Sequence, residues 1–82
     1  MHRAVVVYGL PSGFTTQDLR GLLGRFGGVQ DVRLSPHHLS SLVLGYGEMN
    51  SQEQALQAAT QLHGSVVHGH KLIAHRSTLV GF

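Results

Sequence analysis

The chain contains no cysteine and no tryptophan. Without thiols it can form neither a disulfide framework nor a thiolate metal site. Charged residues are only 12% of the sequence and aromatic residues 6%. So little charge cannot cover every face of a small domain, and some exposed face must be neutral or apolar. No apolar run approaches the ~20 residues of a membrane span. The run Ala4–Val7 is too short for a signal peptide and leads into the turn-like Gly9-Leu10-Pro11-Ser12-Gly13. Acidic residues are scarce: four Asp/Glu stand against six Lys/Arg, a net charge of +2. That balance is compatible with a nucleic-acid partner without indicating one. No paired-carboxylate site occurs, nor a nucleophile with a histidine partner and an orienting acid. The sequence therefore reads as a non-enzyme without a cofactor.

What remains is enough for one domain. Apolar residues are 41% of the 82, so residues 1–82 are expected to form a single compact core, with 76–82 as a C-terminal tail. The domain is expected to be intracellular, nuclear rather than cytoplasmic, and part of a longer protein. Arg3–Tyr8 is a β-branched run and reads as a strand. Leu10–Phe14 has loop chemistry. Thr15 and Asp18 form a capping-box pattern, and Leu19, Leu22, Leu23 and Phe26 follow at helical spacing until Gly27-Gly28. Val29–Leu34 and Leu42–Met49 read as strands. Ser51 and Gln54 suggest a second capping box, and Ala55, Ala58, Ala59 and Leu62 give the face of a second helix ended by Gly64. Val66-Val67 suggests a short extra strand or turn, and Lys71–His75 is the last strand. This order, β-α-β-β-α-β, implies an α+β, ferredoxin-like sandwich: a four-stranded antiparallel sheet with both helices on one face and the other face open.

The pattern resembles an RNA recognition motif over nearly the whole chain. Leu10-Pro11 after the first strand, Phe26-Gly27-Gly28-Val29, the Ala55/Ala58/Leu62/Gly64 spacing and Gly69-His70-Lys71-Leu72 fall where that family has their equivalents. The family's hexamer motif corresponds to Val5-Val6-Val7-Tyr8-Gly9-Leu10, with Val6 at the place of a stacking ring. Its octamer corresponds to Leu42-Val43-Leu44-Gly45-Tyr46-Gly47-Glu48-Met49. Leu42 replaces the basic first residue, Leu44 replaces one ring, and Tyr46 retains another. Gly47 replaces an inward aliphatic residue, which predicts a small void or a bulge. Tyr46-Gly47-Glu48-Met49-Asn50 is also similar to a stretch of the polypyrimidine-tract-binding and matrin-like group, whose members bind pyrimidine-rich single strands.

The resemblance implies single-stranded RNA as partner. Strand alternation places Val6, Tyr8, Leu44 and Tyr46 on the open face. Tyr46 is expected to stack a base, with Tyr8 as a displaced second ring. Val6, Leu44 and Ile73 supply apolar contact. Arg33, Lys71 and His75 alternate toward the open face and Arg3 and Arg76 flank its edges, with Lys71, Arg33 and Arg76 expected to meet phosphates. Two missing rings cost about 2–6 kcal/mol at roughly 1–3 kcal/mol per stacked base, so binding should be weak and of low specificity in isolation. Seven histidines show no metal-site spacing, but they would raise RNA affinity on mild acidification. The alternative is a protein-interaction module that keeps this fold and has lost most RNA contacts. The apolar sheet patch then either binds a protein partner or lies under the tail Leu79-Val80-Gly81-Phe82.

Overall fold

A computed structural model describes residues 3–36 and 42–77. In chain order the elements are β1 (Ala4–Pro11), α1 (Thr16–Leu23), β2 (Val29–Pro36), β3 (Leu42–Met49), α2 (Gln52–Leu62), β4 (Val66–Val67), β5 (His70–Lys71) and β6 (Ile73–Ser77). The main sheet has the order β2-β3-β1-β6, with every neighbour antiparallel. Strands β4 and β5 form a separate two-stranded ladder. The core joins Val5, Val7 and Ala74 of the sheet to Leu19 and Leu23 of α1 and to Ala55, Ala58, Ala59 and Leu62 of α2. This is the expected ferredoxin-like sandwich. His37 and His38, and the tail beyond Ser77, lie outside the described residues.

Helix α1 is fixed by a reciprocal cap. The Thr15 hydroxyl accepts from the Asp18 N–H at 3.0 Å, and the Asp18 carboxylate accepts from the Thr15 N–H at 3.0 Å. The Thr15 backbone N–H, followed by the Thr15 side chain and more weakly by the charge of His68, holds the Asp18 carboxyl below the usual carboxylate range. The helix is shorter than its apolar spacing predicts. Gly24, not Gly27, is the C-cap, and its N–H donates to the Arg20 carbonyl. Phe26 then donates to the Leu23 carbonyl in a following turn. Two glycines near its end, Gly21 and Gly24, disfavour a further helical turn.

The inward side of β3 carries Gly45 and Gly47, and α1 uses the space. A Cβ on Gly47 would stand 2.1 Å from Leu23 Cδ1, and one on Gly45 would stand 2.7 Å from Leu10 Cδ1 and 3.0 Å from Leu19 Cδ2. The void expected at Gly47 is therefore filled by Leu23. The ladder irregularities fall elsewhere, at Gly9 in β1 and Gln30 in β2. At the first, pairing passes from Tyr8–Leu44 to Leu10–Val43, and Gly9 takes a positive φ of 99°. This bulge turns Leu10 into the core although it is two residues from outward-facing Tyr8. It also carries β1 through Leu10-Pro11, where a loop was expected.

Two further expectations are corrected. Ser51 caps α2 by accepting from the Gln54 N–H at 3.1 Å, but the Gln54 side chain does not complete a box. It packs at Gly27, where a Cβ would lie 2.2 Å from its Cδ, and among the described residues its Oε1 is buried without a partner. The last strand is also split. Leu72 is fully buried; its N–H donates to the Ser65 carbonyl and its own carbonyl accepts from Gly64. Lys71 therefore belongs to β5, opposite Val66. The edge of β6 is partly shielded, because His63 Nδ1 accepts from the Ala74 N–H, which removes an outward donor from the strand edge.

Candidate functional site

The helix-free face consists of three cross-strand rows, fixed by the register. Ser35, Leu44, Tyr8 and Ile73 form the first, running from β2 through β3 and β1 to β6; Arg33, Tyr46, Val6 and His75 form the second; Asp31, Glu48 and Ala4 form the third. Side chains directly opposite in an antiparallel pair share a face, and none of the residues named in these rows joins the helix-covered core. The rows differ in character. The first is mainly apolar, the second mixes a ring with basic side chains, and the third carries two carboxylates.

Accessibility divides the expected rings. Tyr8 is 41% exposed and its partner Ile73 is 54% exposed, so together they form an accessible apolar step. Val6 and Leu44 are half-buried. Tyr46 lies on the helix-free side as expected and is only 5% exposed. The more available stacking surface is Tyr8, the residue displaced from the family's motif position.

The basic residues also separate. Arg33 and His75 flank Tyr46 and Val6 in the middle row and are exposed. Lys71 is exposed but belongs to the β4–β5 ladder, with its Cε 3.9 Å from the Cβ position of Gly64. Arg76 pairs with buried Val5, which places it on the helix side of β6. There it lines a groove with Leu56, Ala59 and Thr60 of α2 and with His63 just after that helix. Lys71, expected on the last strand of the sheet, thus lies instead in the β4–β5 ladder, and Arg76, expected to flank an edge of the open face, lies on the helix side. The strand ladder is interrupted at Leu72, whose backbone bonds to Ser65 and Gly64, although exposed and buried side chains still alternate from Lys71 to His75.

Two charged residues of this face, Asp31 and Glu48, were overlooked as part of the site. Arg3 Nη2 meets Glu48 Oε2 at 2.9 Å, and Arg33 Nε meets Asp31 Oδ2 at 3.4 Å. The signal was available: Asp31 stands two residues before Arg33 and Glu48 two after Tyr46, so alternation alone puts both carboxylates on this face. Among the described residues no group of three His, Asp or Glu is placed to hold a metal ion, and no helix is long and apolar enough to cross a membrane.

Comparison with known proteins converges on one family. The profile described as RNA recognition motif matches residues 5–73. Human RNA binding protein fox-1 homolog 1 is 32% identical over 72 residues, which cover 88% of this chain and 18% of that protein. The chain thus spans under one fifth of that relative. Among solved structures, the third RNA recognition motif of Pes4 superposes with a TM-score of 0.86 at 15% identity, covering 98% of this chain and 96% of that one. The Rna15 domain with bound RNA (GU) gives a TM-score of 0.84 at 17% identity, covering 100% and 89%. With a profile that runs from the first strand to the last, and a sheet whose other face is closed by two helices, the chain belongs to the RNA recognition motif family.

Proposed function

We propose that this domain binds single-stranded RNA across the helix-free face of its sheet. The observation that carries this reading is the accessible Tyr8–Ile73 step beside Leu44, on the open sheet face of a member of this family. An exposed ring on a sheet is a platform for an unpaired base, and stacking contributes roughly 1–3 kcal/mol per base. Tyr8 stacks a base, with Leu44, Val6 and Ile73 as apolar surroundings. Tyr46, largely covered, supports this platform from the middle row and contributes its rim. Arg33 and His75 meet phosphates without reading sequence. Lys71 and Arg76 serve only RNA that overhangs the β6 edge.

One accessible ring and few free cations make binding by the isolated domain weak and of low sequence discrimination. Useful affinity then comes from neighbouring modules in the longer protein, through raised effective concentration. Relatives are named as RNA binding proteins, so an interaction module that has abandoned RNA is the less favoured reading. An intracellular, nuclear place of action accompanies the proposal; imaging of the tagged full-length protein tests it.

The direct experiment is an NMR titration of this chain with short pyrimidine-rich and mixed RNA oligomers. Amide shifts should cluster at Tyr8, Arg33, Ile73 and His75 and diminish with added salt. Shifts confined to α1 and α2, or none at millimolar RNA, would reject the proposal.

A further inference from the structure

Asp31 and Glu48 face each other directly across β2 and β3. Like charges in opposed positions destabilise a sheet, so self-stability does not account for the pairing. Each carboxylate holds an arginine: Glu48 takes Arg3, and Asp31 takes Arg33. The four side chains carry no net charge, yet they engage two of the chain's six Lys/Arg. Both pairs are open to water, with side chains 37% and 36% exposed in one and 54% and 48% in the other. Exposed pairs of this kind hold weakly. The grip on Arg3 is also incomplete, because its Nε has no partner among the described residues. Either arginine can therefore exchange a carboxylate for a phosphate at small cost.

We infer that Asp31 and Glu48 set the RNA affinity of this domain by competing internally for Arg33 and Arg3. The inference rests on the RNA-binding reading above. In the free domain each arginine is neutralised where a phosphate would lie. On binding, the guanidinium turns to the phosphate, while the nearby carboxylate continues to oppose the backbone. Affinity and its salt dependence are thereby held below what the arginines alone would give.

The test compares Asp31→Asn and Glu48→Gln, which remove charge and keep shape, with Glu53→Gln. Glu53 is an exposed carboxylate in the first turn of α2, so this control makes the same change in net charge away from the sheet. Binding of a short single-stranded RNA is followed by NMR and fluorescence anisotropy over a salt series. Asp31→Asn and Glu48→Gln should each tighten binding roughly threefold to tenfold at low salt. The slope of log affinity against log salt should steepen by up to about 0.7 for each arginine released to a phosphate. In an Arg33→Gln background, Asp31→Asn should give a clearly smaller gain than in the wild type, the part that remains being the lost repulsion of the backbone. Urea unfolding confirms that each variant is folded. If wild-type RNA shifts stay on the sheet but the two variants bind no more tightly than Glu53→Gln, this inference alone is overturned. Weaker binding by either variant also overturns it, since that carboxylate would then contact RNA favourably. No RNA binding by the wild type or any variant rejects the RNA-binding reading and the inference with it.

Discussion

Gly45 and Gly47 point from β3 toward α1, while Leu44, Tyr46 and Glu48 point from the same strand to the other side. On the helix side, absent side chains admit Leu19 and Leu23, which are fully buried. On the other side, aliphatic, ring and carboxylate follow one another, with Tyr46 largely covered and Leu44 and Glu48 half-buried. One strand thus serves two demands. Its inner surface tolerates almost no added atom, and its outer surface is a place where chemistry can vary. Stability and binding should accordingly respond to different substitutions within the same eight residues.

The largest test attacks the covered side. Gly47→Val should destabilise the domain by about 3 kcal/mol in urea unfolding, because the new side chain overlaps Leu23. Leu23→Ala in that background should recover part of the loss, a non-additivity expected only where two side chains compete for one space. Equal loss in single and double variants would show that the glycine does not exist to admit Leu23. On the other side, Tyr8→Ala should weaken RNA binding by about 1–3 kcal/mol and leave the unfolding midpoint nearly unchanged. A large fall in stability instead would erase the distinction between the faces. At the start of α1, Thr15→Ala should cost about 1 kcal/mol through loss of the N-cap without a selective effect on RNA affinity.

The smallest effect is a pH dependence from the same cap. The lowered pKa of Asp18 means that its stabilising contribution is complete above the ordinary carboxylate value, near about pH 4. It is lost as pH falls through the depressed folded value. Asp18→Asn should flatten that part of an acid-unfolding curve. An unchanged curve would remove the cap from the account.

The order of elements was legible because apolar spacing, caps and glycine stops agree along most of the chain. Thr15 with Asp18, and Ala55 through Leu62, are local patterns whose physical meaning does not depend on distant residues. The site was less legible. Alternation correctly put Tyr8, Tyr46 and Arg33 on one face, but alternation says nothing about how much water reaches a ring, and Tyr46 is 5% exposed. Lys71 was carried onto the sheet by counting back from Ile73 through Leu72. The backbone of Leu72 instead bonds to Gly64 and Ser65, a tertiary choice with no local marker. Arg76 was expected to flank an edge of the open face, although pairing with Val5 sends it to the helix side. Leu23 filling the space at Gly47 also needed the third dimension, since the two positions are far apart in sequence.

The kink at Gly9 has a bearing on length. Beyond Tyr8 the chain rotates and Leu10 dives inward, so the usable floor stops there; at the far end it meets Asp31 and Glu48. Four residues of strand at ~3.3 Å each separate these borders, a span of about 13 Å. Under the proposed reading, RNA that runs past these borders meets Lys71 and Arg76 beside β6 or leaves this face.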